Sequence, residues 1–385
     1  MIVELRNVGF VNKGAELMLH AILQRVSQEW PDTKFVMVPS VENAPYLQRA
    51  RLGIFQKPWY NLYGIPTHEL ASLIPISSRK AYGLVLDSEL DVVLDASGFA
   101  YSDQWGEAST ITLSKATRRW KRRGTKVVLL PQAFGPFTST AIINAIKSVV
   151  DHVDLIYARD PVSYQHLIEV VGERPNIKMA PDFTNLVEGV VPDDFNIEQN
   201  GFCIVPNYRM IDKTSPEASA AYIPFLISCT KYLQSKGAKP FILIHEGEND
   251  FKLAQQVVSA LDTDIKIVRE ADPLKIKGIL GTCEGTLGSR FHSLVSALSQ
   301  GVPSLGTGWS HKYQMLFDSY HFSEGLLNPL LASDDIFKKI DMVVDDPSKG
   351  NIREKITQSA ITQKQMTKDM WNEIFREIMV GKPQI

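Results

Sequence analysis

The hydrophobic positions of this sequence alternate between two spacings. Short apolar runs, such as residues 2–7, predict buried β-strands, and apolar residues at helical spacing, as in residues 15–28, predict amphipathic helices. Further strands are predicted in the N-terminal half at residues 34–39, 91–96, 126–131 and 155–158. Because helix-length segments separate these strands, the pattern indicates a parallel sheet with helical crossovers.

A stretch rich in Pro, Asp and Asn, at residues 181–200, interrupts this alternation and is predicted to be a linker. A second alternating series follows it. Its strands are predicted at residues 202–206, 240–245, 265–268, 284–288 and 303–306. A long amphipathic helix is predicted at residues 353–379.

The 385 residues are enough for two domains, each with its own core. We therefore predict an α/β protein with two doubly wound, Rossmann-like domains that face a central cleft. The N-terminal domain is expected to cover residues 1–190, and the C-terminal domain residues 191–350. Residues 351–385 are expected to form a helix that returns to the first domain.

The overall charge gives no reason to expect a nucleic-acid partner, because the formal net charge is −2. The cysteines, Cys203, Cys229 and Cys283, match no metal-binding pattern and indicate a reduced, cytoplasmic protein. Charged residues stand near the start of the chain, where a signal peptide needs an apolar run. The sequence also has no apolar segment long enough for a bilayer, so membrane contact is expected to be peripheral at most.

Polar residues and glycines follow many of the predicted strands. In doubly wound sheets, ligands bind at the carboxyl ends of the strands, so these positions are candidate site residues. They are Asn12, Gly14, Asp95, Ser97, Gly98, Gln132, Gly135, Arg159, Asp160, Asn207, Arg209, His245, Glu246, Arg290 and His292. Polar loop caps alone would produce part of this pattern, and His245 is equally well explained as a structural histidine.

The most informative segment surrounds Arg290. It predicts a strand end, a sharp turn and a helix over residues 291–300 that a glycine ends. Ser289 is predicted to cap this helix, whose first-turn N–H groups attract anions. Arg290 offers a fork of donors for a carboxylate or phosphate, and His292 is a candidate proton donor. Lys312 adds a positive charge, although charged residues at a helix N-terminus are often plain surface residues.

Six segments carry glycine, proline and charged residues at or near predicted strand ends. They are Gly9-Phe-Val-Asn12-Lys-Gly14-Ala-Glu16, Asp91-Val-Val-Leu-Asp95-Ala-Ser-Gly98, Pro131-Gln-Ala-Phe-Gly135-Pro136, Tyr157-Ala-Arg159-Asp160-Pro-Val-Ser163, Ala180-Pro-Asp182-Phe183, and Ser289-Arg290-Phe-His292 continuing to Gly301-Val-Pro303 and Lys312. In this order and spacing they resemble the polysaccharide pyruvyltransferase family. The chain departs from the family at Asp95-Ala-Ser-Gly98, where the family usually has a run of glycines.

The resemblance implies a GT-B-like fold and transfer of pyruvate from phosphoenolpyruvate to two hydroxyls of a sugar. The product would be a cyclic pyruvate ketal on a surface or capsular glycan precursor, with phosphate released. By position, Arg209 and Arg290 would hold the carboxylate and phosphate of the donor. Ser289 and Lys312 would also bind the donor, and His292 would be the general acid. Neither a cofactor nor a metal is expected.

The residues themselves support this donor. Phosphoenolpyruvate carries a carboxylate and a phosphate close together, which two arginine side chains and a helix N-terminus complement. Its methylene carbon must be protonated, and a cationic His292 can supply that proton. The candidates for binding the acceptor, or for acting as its base, are Asn12, Gly14, Asp95, Asp103, Asp182 and His245, and the sequence does not choose among them.

Two other functions stay open at the level of sequence. A sugar-nucleotide glycosyltransferase of the same fold would use Arg290 and Lys312 to hold a diphosphate. A non-catalytic glycan-binding protein would have a decayed site, against which the retained arginines and His292 argue. The expected partners are phosphoenolpyruvate and a saccharide acceptor, free or lipid-linked, and the sequence is compatible with an oligomer.

Two further segments have alternative interpretations. The basic run Arg118-Arg-Trp-Lys-Arg-Arg123 most often forms a solvated helix end. Its functional interpretation is contact with an anionic membrane surface that presents a lipid-linked acceptor. The aromatic segment Trp59-Tyr60-Asn-Leu-Tyr63 is either a sugar-stacking platform or part of a buried excursion.

Overall fold

A computed structural model of the chain describes residues 1–58, 61–62, 65–66, 70–345 and 348–379. Contacts between Cα atoms divide the chain into two compact units. Unit 1 comprises Met1–Val11, Met18–Phe183 and the described residues from Thr367 onwards, and unit 2 comprises Asn12–Leu17 and Thr184–Met366. The domain boundaries at residues 190 and 350 stay predictions.

Unit 1 is organised around one parallel β-sheet. Its strands in chain order are β1 (Ile2–Arg6), β2 (Lys34–Met37), β3 (Phe55–Gln56), β4 (Asn61–Leu62), β5 (Ile65–Pro66), β6 (Val92–Asp95), β7 (Lys126–Gln132), β8 (Leu155–Ala158) and β9 (Ile177–Met179). The seven-stranded sheet has the order β3-β2-β1-β6-β7-β8-β9, and β4 pairs separately with β5 in antiparallel fashion.

The helices of unit 1 alternate with these strands. They are α1 (Lys13–Glu29), whose first turn belongs to unit 2, α2 (Tyr46–Arg51), α3 (Ile76–Ala81), α4 (Ala108–Arg122), α5 (Thr140–His152) and α6 (Pro161–Val171). The start of α6 has a local cause. The Asp160 side chain accepts a hydrogen bond from the Ser163 backbone N–H at 2.7 Å, and Pro161 fixes φ at the first helical position.

Unit 2 contains a second parallel sheet, with five strands in the order β12-β11-β10-β13-β14. Its strands are β10 (Phe202–Val205), β11 (Pro240–Ile244), β12 (Ile267–Arg269), β13 (Gly285–Gly288) and β14 (Ser304–Gly306). Its helices are α7 (Arg209–Asp212), α8 (Pro216–Ser235), α9 (Gly247–Ser259), α10 (Pro273–Thr282), α11 (Phe291–Leu298), α12 (His311–Ser319), α13 (Ser333–Val344) and α14 (Ser348–Met379), whose last turns belong to unit 1.

The two sheets confirm the predicted α/β class. Strands β6, β10 and β11 are buried along their whole length, as expected for parallel strands covered by helices on both faces. The C-terminal helix α14 begins at Ser348, earlier than the predicted residue 353. Within unit 1, Phe375 of this helix meets the edge of Trp30 with ring centroids 4.9 Å apart and stacks on Trp371. The end of α14 therefore packs on the first unit, as predicted.

Two expectations about membranes and sugars depend on particular segments. None of the helices in the described ranges combines the length and the apolar character needed to cross a bilayer. Trp59, Tyr60 and Tyr63 lie outside the described residues. The sugar-stacking platform therefore stays a prediction.

A buried ion network joins β1 to the chain segment that precedes β6. The Lys57 ammonium lies 2.5 Å from Glu4 Oε2 and 2.6 Å from Asp87 Oδ1, and all three residues are at most 3% exposed. Asp87 also accepts hydrogen bonds from Trp120 Nε1 at 3.0 Å and from Arg119 Nε at 2.7 Å. Burial alone would raise the pKa of Asp87, but the bonds from Arg119 and Lys57 outweigh it and hold this pKa well below its usual range.

The basic run at residues 118–123 is largely occupied inside unit 1. Arg123 Nη1 lies 2.5 Å from the Asp87 carboxylate, which Arg119 also binds, and Arg118 donates to the Ser148 hydroxyl at 2.7 Å. Arg118 and Arg123 are nevertheless exposed, so the interpretation as a solvated helix end fails only for the partly buried Arg119. Lys121 and Arg122 are exposed as well, with Lys121 3.6 Å from a carboxylate oxygen of Asp154.

Replacing Asp87 by asparagine is expected to lower the free energy of unfolding of unit 1 by about 3–5 kcal/mol, because it removes one partner from a buried charge network. Chemical denaturation at neutral pH measures the difference. Asp262→Asn is the matched control, since the Asp262 carboxylate pairs with Lys231 at 3.1 Å but is 90% exposed. The control should change stability by less than about 1 kcal/mol, and equal losses in both variants would contradict the prediction.

The contribution of Asp87 is also expected to depend on pH. Its pKa in the folded protein lies below the unfolded value of about 3.9, so its stabilisation is fully present above that pH. The stabilisation is lost as the pH falls from about 4 towards the folded pKa. The stability difference between wild type and Asp87→Asn should stay constant from pH 7 to pH 5 and shrink below about pH 4. Growth of that difference on acidification would contradict this assignment.

Candidate functional site

Three segments of unit 2 meet around the Arg290 side chain. They are the first turn of α1, the start of α9 with the loop before it, and the turn between β13 and α11. We define the Arg290 cluster as Asn12, Lys13, Gly14, His245, Glu246, Asp250, Arg290 and His292. The structure thus brings together six of the predicted site residues, namely Asn12, Gly14, His245, Glu246, Arg290 and His292.

Ser289 holds the turn that carries Arg290. Its hydroxyl accepts a hydrogen bond from the Tyr222 hydroxyl at 2.7 Å, lies 2.7 Å from the Thr307 hydroxyl, and is buried. Its carbonyl accepts hydrogen bonds from Asn207 Nδ2 at 2.6 Å and from the Tyr313 hydroxyl at 3.0 Å. These bonds tie the end of β13 to four residues of neighbouring segments, so Ser289 anchors the turn from inside unit 2.

The predicted helix cap by Ser289 is wrong. The residue that flanks α11 is Arg290, with φ −98° and ψ 124°, and no side chain caps this helix. The physical reason is the pairing of β13 with β14, which places Gly288 opposite Gly306 and therefore brings Thr307 beside Ser289. The tertiary hydrogen bonds of Ser289 replace the local cap.

Arg290 is fixed by two carboxylates. Its Nε and Nη2 donate to the two oxygens of Asp250 at 2.8 and 2.7 Å, and its Nη1 donates to Glu246. The Asp250 side chain is fully buried and also accepts from the Tyr208 backbone N–H at 2.9 Å. Burial would lower the pKa of Arg290, but attraction by Asp250 and Glu246 raises it, so the guanidinium is cationic. The predicted fork exists, and its inner edge is bound by protein.

His292 lies in the first turn of α11, against the first turn of α1. Its ring meets the edge of Phe291 with centroids 5.5 Å apart, and its side chain is half-buried. A Cβ atom placed on Gly14 would collide with Nδ1 of this ring. Gly14 therefore serves the site through the space that it leaves for His292.

His245 is the buried member of the cluster. It is 4% exposed, and its Nδ1 has no hydrogen-bond partner among the described residues. Burial lowers the pKa of His245 well below its ordinary value, and the neighbouring positive groups, Arg290 first, lower it further. This imidazole is therefore neutral at pH 7. An orphaned polar atom at such depth favours a role toward a ligand over that of a satisfied structural histidine.

Asn12 connects the start of α1 to the start of α9. Its Oδ1 accepts from the Ala15 backbone N–H at 3.1 Å, and its Nδ2 donates to Glu246 Oε2 at 3.0 Å. The next residue, Lys13, pairs with Glu16 at 2.6 Å on the same helical turn. The first turn of α1 is thus held to the loop that precedes α9.

The two other predicted donor residues lie on short helices of unit 2. Arg209 begins α7, has a side chain that is 45% exposed, and pairs with Asp212 at 2.5 Å. The Lys312 ammonium lies over aromatic rings, 4.6 Å from the Trp309 centroid and 5.3 Å from that of Phe291. Because Phe291 precedes His292, Lys312 lies beside the turn that carries the candidate acid.

The predicted acceptor carboxylates are in unit 1, and each is bound within it. Asp95 is fully buried and accepts hydrogen bonds from Asn7 Nδ2, the Tyr101 hydroxyl and the Ser97 hydroxyl, each at 2.9 Å. A saturated, buried carboxylate of this kind organises the strand ends of β1 and β6. Contact with an acceptor hydroxyl would require it to exchange one of these bonds.

Asp182 and Asp103 differ in exposure. Asp182 pairs with Arg159 at 3.0 Å, and both side chains are 5% exposed. Asp103 is partly exposed and accepts from the Thr138 backbone N–H at 2.6 Å, so it shapes the loop that leads into α5. Among the three acidic candidates of unit 1, Asp103 is the one with solvent access.

Sequence reasoning missed Asp250 and Lys13. Asp250 pairs with Arg290 across 40 positions of sequence, and no local pattern marks such a distant partner. The only signal in the sequence was its position on the apolar face of α9, which it shares with Leu253 and Val257. A charged residue is unusual on such a face.

Gly14→Ala is expected to destabilise unit 2 by about 1–3 kcal/mol, because the added methyl group overpacks the site against the His292 ring. Helix propensity alone predicts the opposite sign, a gain of up to about 1 kcal/mol. Chemical denaturation distinguishes the two. The double variant Gly14→Ala/His292→Ala removes the collision and should recover the stability lost in the single variant.

Gly350→Ala is the matched control for the glycine substitution. Gly350 is also helical, and nothing lies within 4 Å of an added Cβ atom. Its replacement should therefore be neutral or stabilising, as propensity predicts. A Gly14→Ala variant that behaves like this control would show that Gly14 does not limit the space around His292.

Comparison with solved structures shows the same fold in sugar-nucleotide proteins of the GT-B type. A putative UDP-N-acetylglucosamine 2-epimerase from Listeria monocytogenes superposes with a TM-score of 0.62 at 12% identity, covering 98% of this chain and 95% of that one. HepE from Anabaena in complex with UDP and glucose has a TM-score of 0.59 at 13% identity, covering 97% and 98%. At these identities the likeness shows the fold alone.

A family comparison covers most of the site. A search of curated proteins finds no match. The family model described as polysaccharide pyruvyl transferase matches residues 12–311, a range that begins at Asn12 and includes the whole Arg290 cluster. Because this match spans more than half of the chain, the protein belongs to the polysaccharide pyruvyl transferase family, a family of enzymes.

Proposed function

We propose that the protein transfers pyruvate from phosphoenolpyruvate to two hydroxyls of a sugar in a glycan precursor. The product is a cyclic pyruvate ketal, and phosphate is released. The observation that supports this proposal is a permanently cationic, rigidly held Arg290 that flanks α11 two residues before His292. This pairs an anion-binding fork with a group that can deliver a proton.

Donor binding uses positive charges at the start of two helices. Arg290 holds one anionic group of the donor, and Lys312 and Arg209 supply further charge from the starts of α12 and α7. The N-terminus of α11 adds the partial positive charge of its helix dipole. Ser289 contributes by anchoring this turn, since its own hydroxyl is engaged inside unit 2.

The first chemical step is proton transfer to carbon. The His292 imidazolium gives its proton to the methylene carbon of phosphoenolpyruvate, whose double-bond electrons form the new C–H bond. C2 becomes electrophilic, and the first sugar hydroxyl adds to it and loses its proton. Phosphate then leaves with the electron pair of its C–O bond, and the second hydroxyl adds to C2 and loses its proton. One hydroxyl proton restores His292, and the other departs with phosphate.

Neutral and anionic side chains fit the remaining tasks. A neutral His245 can donate or accept one hydrogen bond with a reacting group, and it adds no second positive charge beside Arg290. Asp103 is the unit 1 carboxylate with solvent access, and Asp95 and Asp182 would act only after exchanging existing bonds. Its solvent access supports Asp103 over the other two carboxylates as a direct contact of the acceptor.

The acceptor is proposed to be a saccharide presented in the cytoplasm, free or linked to a lipid. The described cysteines are unpaired, in keeping with a reducing compartment. If the acceptor is lipid-linked, exposed Lys121 and Arg122 are two members of the basic run that can face an anionic membrane, at about 1 kcal/mol each. Changing both to glutamine should weaken co-sedimentation with anionic vesicles, and unchanged co-sedimentation would remove this contact.

Donor identity is tested by thermal shift and calorimetric titration. Phosphoenolpyruvate at a hundredfold excess over its Kd should stabilise the wild type by about 2.7 kcal/mol. Arg290→Ala should lose this stabilisation, and Arg290→Lys, which keeps the charge but not the fork, serves as a second variant if the first fails to fold. Stabilisation by a nucleotide sugar instead of phosphoenolpyruvate would contradict pyruvate transfer and support glycosyl transfer.

The acid role of His292 is tested by turnover. His292→Ala should lower kcat by about 10²–10⁴-fold while part of the donor affinity survives, because the imidazole acts mainly in proton transfer. Release of phosphate in the presence of acceptor measures kcat. His152→Ala is a control in unit 1, where the His152 ring contacts the Ser148 carbonyl. Near-normal turnover of the His292 variant would remove this residue from the acid role.

A further inference from the structure

We infer that Glu246 occupies, in the donor-free site, the place on Arg290 that an anionic group of the donor takes, and that this competition sets donor affinity. The inference rests on the proposed donor. It concerns a residue that the sequence alone placed only at a strand end.

The two carboxylates on Arg290 are held very differently. Asp250 binds Nε and Nη2 from a fully buried position and is itself fixed by the Tyr208 backbone N–H at 2.9 Å. Glu246 binds only Nη1, and its side chain is 22% exposed. Asp250 is therefore a permanent support for the guanidinium, whereas Glu246 lies on the solvent-facing edge of the fork.

Glu246 has no structural task in its own helix. It flanks the start of α9 with φ −153° and ψ 121°, and its side chain makes no capping hydrogen bond there. It reaches instead to Arg290 and to Asn12 Nδ2, which is 3.0 Å away on an exposed residue. The Glu246 carboxylate thus binds Arg290 and does not cap α9. On Arg290 it makes the kind of contact that an anionic group of a ligand would make.

The charges of the cluster require Glu246 to move or to be outcompeted. Lys13 is paired with Glu16, and Arg290 is balanced by Asp250 and Glu246. A donor that carries a carboxylate and a phosphate would meet repulsion from Glu246 as long as this side chain stays on Nη1. When the donor binds, Glu246 leaves Arg290, while Asp250 keeps the guanidinium in place.

Glu246→Gln tests the competition, because it keeps the shape of the side chain and removes its charge. Titration with phosphoenolpyruvate, without acceptor, is expected to give a Kd lower than that of the wild type by about tenfold. Glu248→Gln is the control. This substitution removes the same charge two residues away, from a side chain that is 59% exposed and pairs with Arg269. Its donor Kd should stay within about twofold of the wild type, since exposed pairs contribute little.

The alternatives predict other outcomes. If Glu246 positions Arg290 for the donor, Glu246→Gln will bind phosphoenolpyruvate more weakly. If Glu246 is the base for an acceptor hydroxyl, kcat will fall by about a hundredfold or more with the donor Kd unchanged. Either result overturns the competition.

The outcome for the proposed donor is separate. Wild type that binds phosphoenolpyruvate, with no gain in Glu246→Gln, contradicts the competition and leaves the donor assignment intact. Binding that appears only in Glu246→Gln supports the competition. Silence of both proteins rejects the donor, and the competition with it.

Discussion

The bidentate ion pair between Asp250 and Arg290 is the interaction on which the rest of the site depends. Asp250 is fully buried, so its charge is tolerated only because Arg290 and a backbone N–H from Tyr208 neutralise it. Removing one partner of such a pair costs about 3–5 kcal/mol, because the other charge stays buried. The orientation of the guanidinium is therefore set by the core of unit 2 before any ligand arrives, and the turn with His292 follows directly from it.

Local patterns were sufficient to predict the fold, and they predicted part of the site. Strands β6 and β10 are buried on both faces, as strands of a covered parallel sheet are. Such strands are continuous apolar runs, which can be recognised in a sequence without knowing the neighbouring strands. Arg290 and His292 were recognisable because they share one turn. Asp250 was not, because its partner is distant in sequence. Ser289 was misassigned because tertiary hydrogen bonds outweighed its preference to cap a helix.

Charged residues account for most of what the sequence could not place. Lys57 stands in a segment rich in proline and aromatic residues that gave no sign of a buried cation, yet it is 1% exposed between Glu4 and Asp87. Lysine is buried only when it is paired, and neither carboxylate is near it in sequence. Arg119 was assigned to a solvent-facing run because its partner, Asp87, is likewise distant in sequence. The spacing of hydrophobic residues can be recognised in the sequence, whereas the partner of a charged residue is known only once the chain is folded.

The first turn of α1 gives unit 2 a discontinuous sequence. Asn12–Leu17 belongs to that unit although more than 160 residues of unit 1 stand between it and Thr184. A fragment expressed from residue 184 onwards would contain Arg290 and His292 but would lack Gly14, which borders the histidine ring, and Asn12, which holds Glu246. The Arg290 cluster therefore combines residues from two distant parts of the sequence. An N-terminal truncation or fusion close to residue 12 would therefore change the surroundings of Arg290 and His292, which lie nearly three hundred residues later in the sequence.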